Sequence, residues 1–345
     1  MHQRIILCLL ALLALHAAPS SAQLAAPWVP WTWTNKMQFG PVSLYAGQRF
    51  SLIADEKTDS TYVRDYDLAI FSDWTMSQKD QFRAYVVFNP YYVKHHPQVK
   101  SQWWLIYGYY ERDLGSGWLR LGKVPYPFNY LNGFPEWHSQ VRRVTRLWDY
   151  GMTWTSKPRE GWQWEAGWVS NGTTSSSDVR ELNEPALVGR VRVGVGQRLE
   201  AGFSGMLAPK RTFPGLGEIN LSRFGGHLRW LPSSRLELRG EYVSFHTLSQ
   251  GGPIRAEYAG KPGHGWVAEG IYQFGKRAQL FANYNSLQRA EGSATRVDTL
   301  TFGGRIKLHD RLYLIPEAWL VDDQLPKTHP LYDDNRVMLT SLVLF

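Results

Sequence analysis

The chain has 345 residues, a formal net charge of +8 at pH 7, 43% hydrophobic residues and 14% aromatic residues. Its mean hydropathy of -0.35 is too low for a bundle of transmembrane helices, and its hydrophobic content is too high for a disordered chain. The single cysteine, Cys8, excludes a disulfide scaffold and a thiolate metal site.

The N-terminus has the order of an export signal. A short basic start precedes an almost unbroken apolar run from Ile5 to Leu15, and small residues follow up to Ala22. The apolar run is too short to span a bilayer, and its flanks are those of a secretory signal peptide. We therefore expect cleavage after Ala22, which also removes Cys8.

Beyond this segment, apolar and polar residues alternate with a period of two. In the stretch 235–242, for example, Leu236, Leu238 and Tyr242 alternate with charged residues. Successive side chains of a strand point to opposite faces, so each such segment has one apolar face and one polar face. The pattern fits either a half-buried sheet of a soluble protein or the wall of a membrane β-barrel.

Strand length, aromatic residues and connection length favour the barrel. The segments are mostly about 9–11 residues long, which is the length of a tilted membrane-spanning strand. Aromatic residues such as Trp162, Trp168 and Trp230 occur at strand ends on the apolar face, as they do at membrane interfaces. Tight connections alternate with long ones such as 125–145, and this alternation is typical of outer-membrane barrels.

The sequence therefore predicts an all-β fold, a transmembrane antiparallel β-barrel of about sixteen strands, with a range of about 14 to 18. The predicted strands lie near 43–53, 62–73, 80–89, 101–112, 117–124, 146–156, 161–170, 185–195, 197–207, 222–231, 234–245, 264–274, 276–287, 297–308, 311–321 and 335–345. The expected division of the chain is 1–22 as signal peptide, 23–36 as periplasmic lead-in and 37–345 as barrel.

The last predicted strand ends on an aromatic residue, Phe345, with Val343, Leu339 and Val337 in step with it. This resembles the terminal signature of outer-membrane barrel proteins, which the barrel assembly machinery recognises. The resemblance implies that machinery as a partner of Phe345. Pairing of the last strand with the first also removes a hydrophobic sheet edge that would otherwise promote aggregation.

The segment from Trp118 to Phe128 reads WLRLGKVPYPF. It resembles the strand-then-proline segment of Gram-negative outer-membrane porins, although Asn129 stands where a glycine usually follows the aromatic residue. The resemblance implies passive diffusion of small hydrophilic solutes across the bacterial outer membrane, usually through trimers. Outer-membrane lipid and lipopolysaccharide are then the surroundings of the barrel.

The same resemblance implies that the connection 125–145 folds into the lumen and narrows it. A ring of charge at a narrow point selects ions by sign. The candidate constriction residues are Lys123, Glu136, His138, Arg142 and Arg143. The alternative is an ordinary surface loop with solvated charges.

The alternation also assigns basic side chains to the inner wall. The candidate pore-lining residues are Arg49, Arg83, Arg120, Arg190, Arg192, Arg229, Arg239, Arg305 and Lys307. Inward basic residues outnumber inward acidic ones, which predicts a wet lumen and a mild preference for anions. Ion pairing across strands that only stiffens the wall is an equally good interpretation.

Two other functions remain open at this stage. Trp103, Tyr107 and Tyr109 share one strand face by parity, and Tyr85 is assigned inward, so a path of rings for a sugar is one alternative. Trp104, Ile106 and Tyr110 make the opposite face equally apolar, so either face of this strand can point inward. An outer-membrane hydrolase or a non-conducting structural barrel is the other.

We predict that the chain is not an enzyme. The motif Ser170-Asn171-Gly172 resembles the Ser-Asn-Gly of outer-membrane phospholipases, but Trp168 occupies the position of their catalytic histidine. No motif for a cofactor or a metal is present, so none is predicted. The positive charge is spread along strands rather than clustered, which argues against nucleic acid as a partner.

Overall fold

The computed structural model describes residues 37–56, 59–88, 103–125, 127, 148–170, 185–196, 198–213, 215–248, 256–275, 277–292, 295–329 and 333–344. The expected signal peptide and lead-in, residues 1–36, lie outside this range, and so does Phe345. Among the described residues, no helix is long and apolar enough to cross a membrane.

Strands account for most of the described chain. In chain order they are β1 (Met37–Phe39), β2 (Val42–Asp55), β3 (Ser60–Thr75), β4 (Asp80–Phe88), β5 (Trp103–Asp113), β6 (Gly117–Pro125), β7 (Trp148–Ser156), β8 (Trp162–Val169), β9 (Ala186–Val195), β10 (Leu199–Leu207), β11 (Arg211–Phe213), β12 (Gly217–Ile219), β13 (Arg223–Trp230), β14 (Leu236–Phe245), β15 (Gly263–Phe274), β16 (Ala278–Gln288), β17 (Arg296–His309), β18 (Leu312–Asp323) and β19 (Arg336–Leu344). A short 3-10 helix spans Ala256–Tyr258.

Sixteen of these strands, β2–β10 and β13–β19, form one closed antiparallel barrel. The last strand closes on the first, from Arg336 opposite Asp55 to Leu344 opposite Gly47. The short strand β1 pairs with β2 at Val42 to Leu44, beyond the end of β19. The predicted all-β barrel and its sixteen strands are therefore confirmed, and the seam leaves no hydrophobic edge unpaired there.

The barrel has two rims that differ in the length of their connections. The tight connections are 76–79, 114–116, 157–161, 196–198, 231–235, 275–277 and 310–311, and we call this end the short-turn rim. The other end, the long-loop rim, is where the strands joined by the remaining connections end, and the β11–β12 hairpin belongs to one of these connections. Gly196 and Gly275 adopt positive φ angles of 61° and 74° in the tight turns, a conformation that glycine adopts without strain.

The outer surface of the barrel is apolar. Along β14 and β15, every second side chain is buried against the interior and those between point outward. Large apolar side chains are exposed on this outer face, among them Leu187, Phe203, Trp230, Leu280, Phe302, Leu320 and Leu339. Such a surface matches the lipid-facing wall of a transmembrane β-barrel.

Aromatic side chains are exposed near both ends of the strands, as the sequence predicts. Trp162 and Trp230 lie next to the short-turn rim, whereas Trp168 and Trp266 lie towards the long-loop rim. Trp266 also packs against Tyr284, with ring centroids 4.9 Å apart. Amphipathic rings favour the boundary between lipid tails and headgroups.

The interior contains an apolar cluster in its long-loop half. Inward side chains of the barrel strands contribute to it, and residues of the connections after β10 and β14 pack against them. Its members include Val169, Val188, Met206, Ile219, Leu221, Val243, Phe245, Leu248, Tyr258, Val267, Leu287 and Val297. Connection segments therefore cover part of the inner wall.

Candidate functional site

The inner wall changes character along the barrel axis. On β14, the inward positions from the short-turn rim are Glu237, Arg239 and Glu241, followed by Val243 and Phe245. All five side chains are buried. On this strand the charged inward residues thus lie in the short-turn half, below the apolar cluster.

A buried group of ion pairs begins between β13 and β14. Arg229 and Arg239 lie directly opposite each other, an arrangement in which like charges repel. Glu237 resolves this repulsion because its Oε1 accepts hydrogen bonds from Arg229 Nε at 2.7 Å and from Arg239 Nε at 2.6 Å. Arg239 Nη1 also lies 3.4 Å from Glu269 Oε2 on β15.

The group continues across β8, β9 and β10. Arg190 Nη2 lies 2.6 Å from Glu165 Oε1, and Arg192 lies 3.7 Å from both Glu165 and Glu200. His227 Nε2 is 3.4 Å from Glu200 Oε1. We call these residues the buried ion network: Glu165, Arg190, Arg192, Glu200, His227, Arg229, Glu237, Arg239 and Glu269.

The close packing of this network depends on a glycine. Gly202 lies opposite His227 in the sheet, and the imidazole ring covers it. A Cβ atom at position 202 would lie only 2.1 Å from His227 Cε1. The absence of a side chain at Gly202 therefore lets His227 reach Glu200.

The buried ion network contains four arginines and four glutamates, so its formal charges balance. Most of its members are nearly inaccessible, with Glu200 at 1% and Arg229 at 3% relative exposure. The side chains of Arg190 and Arg192, in contrast, are 13% and 12% exposed. A charge in such surroundings is costly unless it is paired and hydrogen-bonded. The network therefore stiffens the wall and adds no formal net charge to the lumen.

A second group of charges lies on β3 to β6, and part of it is open to solvent. Asp73 Oδ1 and Arg83 Nε are 3.7 Å apart, and their side chains are 38% and 37% exposed. Arg83 also approaches Glu111 at 3.6 Å, and Arg120 Nε donates to Glu111 Oε2 at 2.6 Å. We call Asp73 and Arg83 the exposed pair.

Aromatic rings line the wall beside the exposed pair. Phe71 stacks on Tyr85 with centroids 4.0 Å apart and an interplanar angle of 9°. Tyr107 lies 5.5 Å from Tyr85 and 5.6 Å from Tyr109, and the Arg120 guanidinium lies 5.6 Å from the Tyr109 centroid. We call Phe71, Tyr85, Tyr107 and Tyr109 the aromatic row.

One predicted member of this row is on the other face. Trp103 is 51% exposed on the outside of the barrel, where it packs against Phe88. The register of β4 and β5 shifts by one residue, because Tyr85 pairs with Tyr107 whereas Val86 pairs with Leu105. The extra residue in β5 reverses the parity, so the prediction that Trp103 shares a face with Tyr107 was wrong.

The structure places most of the predicted pore-lining residues on the inner wall. Arg83 and Arg120 belong to the partly exposed group, whereas Arg190, Arg192, Arg229 and Arg239 belong to the buried ion network. Arg305 is buried on the inward face of β17. Lys307 lies at the short-turn rim, where its Nζ is 2.8 Å from Asp310 Oδ1. The backbone of Arg49 pairs with Leu342, and its side chain lies outside the described part.

The predicted constriction residues are mostly not described. Glu136, His138, Arg142 and Arg143 lie outside the described residues. Lys123 lies on the face of β6 opposite to that of Gly122 and Val124. Its Nζ donates a hydrogen bond to the carbonyl of Leu105 at 2.7 Å. It therefore does not join either group of inward charges.

Asp73, Glu111 and His227 were not predicted as site residues. Period-two alternation assigns Asp73 to the face of Phe71 and Glu111 to the face of Tyr109, so the signal was present in the sequence. The role of His227 depends on Gly202 across the sheet, a pairing that requires the register.

The sequence matches no family model and no curated protein. Solved structures do match. OmpF of Salmonella typhi, in complex with daunomycin, aligns with a TM-score of 0.67 and 8% identity over 90% of this chain and 100% of that one. The outer-membrane channel DcaP of Acinetobacter baumannii aligns with a TM-score of 0.63 and 11% identity, covering 94% and 100%.

An anion-selective porin from Comamonas acidovorans aligns with a TM-score of 0.60 and 11% identity, covering 88% of this chain and 99% of that one. Identities this low establish the fold alone. The chain therefore has the porin-like, sixteen-stranded β-barrel fold of these outer-membrane proteins.

Proposed function

We propose that this protein is an outer-membrane porin, a passive diffusion channel for small hydrophilic solutes with a mild preference for anions. The observation that carries the proposal is the contrast between the two sides of the wall. The outside of the closed barrel is apolar, whereas the inside keeps Asp73 and Arg83 more than one third exposed to solvent.

The fold is suited to this role for two physical reasons. A closed barrel satisfies every backbone hydrogen bond between its strands, which the interior of a bilayer requires. Barrels of about sixteen strands are also too wide to be filled by wall side chains alone. We propose that solutes pass along β3 to β6, where the exposed pair and Arg120 meet solvent.

The preference for anions is proposed to depend on groups outside the buried ion network, because the formal charges of the network balance. We keep Glu136, His138, Arg142 and Arg143 of the connection 125–145 as proposed constriction residues. A net positive ring formed by them in the lumen would select anions. The name of the Comamonas porin, an anion-selective protein, is in keeping with this proposal.

The environment of the barrel follows from the same proposal. Its apolar outer wall would contact outer-membrane lipid, and its long-loop rim would face lipopolysaccharide. A trimer is the proposed assembly, and one of the similar structures, OmpT of Vibrio cholerae, is described as a trimer form. Recognition of Phe345 by the barrel assembly machinery is also a proposal.

A channel for a specific sugar is the second candidate. The aromatic row favours it, because four rings follow one another along the inner wall beside paired charges and rings can stack on sugar faces. We propose no enzymatic activity. The position of a catalytic base is taken by Trp168, whose ring is exposed on the outer wall.

Reconstitution in planar lipid bilayers tests the proposal. Purified, folded protein is expected to give steady ohmic current steps in KCl, and heat-unfolded protein from the same preparation serves as the control. In a KCl gradient the reversal potential is expected to lie between zero and the equilibrium potential of chloride. Absence of steady current would reject the channel, and a cation-selective reversal potential would reject the anion preference.

A further inference from the structure

Five of the short turns carry a basic residue at one equivalent position. Each residue stands two positions before the first inward side chain of the strand that follows the turn. The five residues are Lys79, Arg198, Arg235, Arg277 and Arg311, and the inward residues that follow them are Gln81, Glu200, Glu237, Gln279 and Tyr313. By period-two alternation, these positions lie on the lumen side of the short-turn rim. We call the five residues the basic collar.

The backbone of the basic collar is held in place by the neighbouring hairpin. The carbonyl of Arg198 accepts a hydrogen bond from Leu231 N at 2.7 Å, and that of Arg235 accepts one from Gln273 N at 2.7 Å. Lys79 and Arg277 accept equivalent bonds at 2.8 and 2.7 Å. The hydrogen-bond ladder thus extends one step beyond the strands, and it fixes where four of the five basic side chains begin.

Three other basic residues at this rim, Arg112, Lys157 and Lys307, have acidic partners. Lys157 Nζ donates to Asp113 at 2.9 Å, and Arg112 lies 3.7 Å from Asp80. Lys307 donates to Asp310, and this hydrogen bond lowers the pKa of the Asp310 carboxyl group, which keeps that group ionised. These cations are therefore largely compensated.

The basic collar differs in this respect. All five of its members are exposed, and none forms a close ion pair within the described part of the chain. Lys79 and Arg277 attract the rim carboxylates of Asp80 and Asp310 respectively, but only at longer range. Two further turns have uncharged residues, Ser116 and Gly161, at the equivalent position, where their carbonyls accept bonds from Lys157 and Gly194. Because β19 pairs with β2, the five charged turns follow one another around the rim. The collar is an arc of positive charge that spans the β19–β2 seam between Arg311 and Lys79.

We propose that the basic collar concentrates small anions at the short-turn mouth and that it favours multivalent anions, such as phosphorylated or polycarboxylate solutes. This inference rests on the proposed function and adds a selectivity element at the mouth of the lumen. Fixed charge around an opening with low-dielectric walls raises the local concentration of counter-ions. Its reach is about 10 Å at 0.1 M salt and about 3 Å at 1 M salt.

A solute is a better match than a lipid phosphate because of where the residues lie. Basic residues that bind headgroups project from the outer face, next to the aromatic residues at the interface. The collar occupies lumen-side positions, whereas the outward position at this rim is occupied by Arg112. The lumen-side position of the collar therefore favours soluble anions as its ligands. Binding of lipid phosphates is an alternative outcome of the test.

The test compares the variant R198Q/R235Q/R277Q/R311Q with the matched variant R112Q/K157Q, which removes compensated cations from the same rim. All three proteins are first checked for the folded, heat-modifiable form. The chloride-to-potassium permeability ratio is then measured in KCl gradients. At about 0.1 M the collar variant is expected to lose anion preference by roughly twofold or more, and the difference is expected to vanish near 1 M. The matched variant is expected to remain close to the wild type.

Binding of a fluorescent trianionic dye to the protein in neutral detergent is a second readout that needs no conductance. The collar is supported if the collar variant binds the dye more weakly than the wild type and the matched variant do. This holds even if the wild type does not conduct, because absence of conductance rejects the channel and not the collar. Equal dye binding and equal permeability ratios for wild type and collar variant overturn the collar. An effect that appears only with anionic lipid vesicles and not with the dye also overturns it, in favour of a lipid contact.

Discussion

The exposed pair and the buried ion network use the same chemistry in two different surroundings. Both contain pairs of arginine and carboxylate side chains on the inward faces of neighbouring strands. Asp73 and Arg83 lie 3.7 Å apart with more than a third of each side chain in solvent. Glu237 lies between Arg229 and Arg239 at 2.7 and 2.6 Å, with each side chain at most 6% exposed.

This difference in exposure to solvent decides whether each group contributes to stability or to transport. Water screens the exposed pair, so its members contribute little to stability and remain available to a passing ion. The members of the buried ion network interact mainly with one another, so their removal affects folding before it affects transport. A count of inward arginines therefore overstates the anion preference of the wall, because most of those charges are already neutralised.

The largest expected effect comes from opening the buried ion network. Glu237→Gln removes the carboxylate that separates Arg229 from Arg239, which leaves two facing guanidinium groups in a buried site. We expect the free energy of unfolding to fall by about 3–5 kcal/mol. Urea unfolding in detergent micelles, followed by tryptophan fluorescence, measures this change.

The matched variant is Asp73→Asn, which breaks an arginine–carboxylate pair in the exposed group. It is expected to change the free energy of unfolding by less than about 1 kcal/mol. Equal losses for the two variants would show that burial does not separate the two groups.

A smaller loss is expected from Gly202→Ala. The added methyl group would lie 2.1 Å from His227 Cε1, so the imidazole must move away from Glu200. We expect a destabilisation of about 1–3 kcal/mol in the same unfolding assay. Gly226→Ala is the control, because its Cβ would meet nothing closer than a backbone oxygen at 3.5 Å. A Gly202→Ala protein as stable as this control would contradict the packing described for the network.

The sequence was sufficient for the barrel but not for this distinction between the two groups. Period-two alternation, connection lengths and strand lengths predicted sixteen strands, and the structure has that number. Alternation also assigned Arg83, Arg190 and Arg229 to one face of their strands, and their role as pore-lining residues stays a prediction. The alternation of residues along a single strand is enough to predict which face each side chain occupies.

The partners of these residues were not predictable, because they depend on register and on segments distant in the chain. Glu237 bridges two arginines only because β13 and β14 place them opposite each other. The one-residue shift between β4 and β5 reversed the face of Trp103. Tyr258 joins the apolar cluster from a connection, where no periodicity predicts its position.

The aromatic row allows a weaker test of the exposed side of the wall. Phe71→Leu keeps an apolar side chain but removes the stacking on Tyr85 at 4.0 Å. The expected loss in the free energy of unfolding is about 0.5–1.5 kcal/mol. Phe203→Leu on the lipid-facing surface, where the ring is exposed, is the control and is expected to change little. A larger loss at position 203 would show that the row does not stabilise the wall by stacking.

Single substitutions in the exposed pair are expected to have the smallest effect on free energy, but they test most directly where ions pass. Arg83→Gln removes the positive member of the exposed pair and Asp73→Asn the negative one, so the two variants are expected to shift the reversal potential in opposite directions. Arg83→Gln should lower the chloride-to-potassium permeability ratio and Asp73→Asn should raise it. Each change is expected to be at most about fivefold, roughly the 1 kcal/mol of two charges a few ångströms apart in water. Because the site is solvated, both shifts should shrink in 1 M KCl. Shifts of the same sign, or none at low salt, would mean that ions do not pass along β3 and β4.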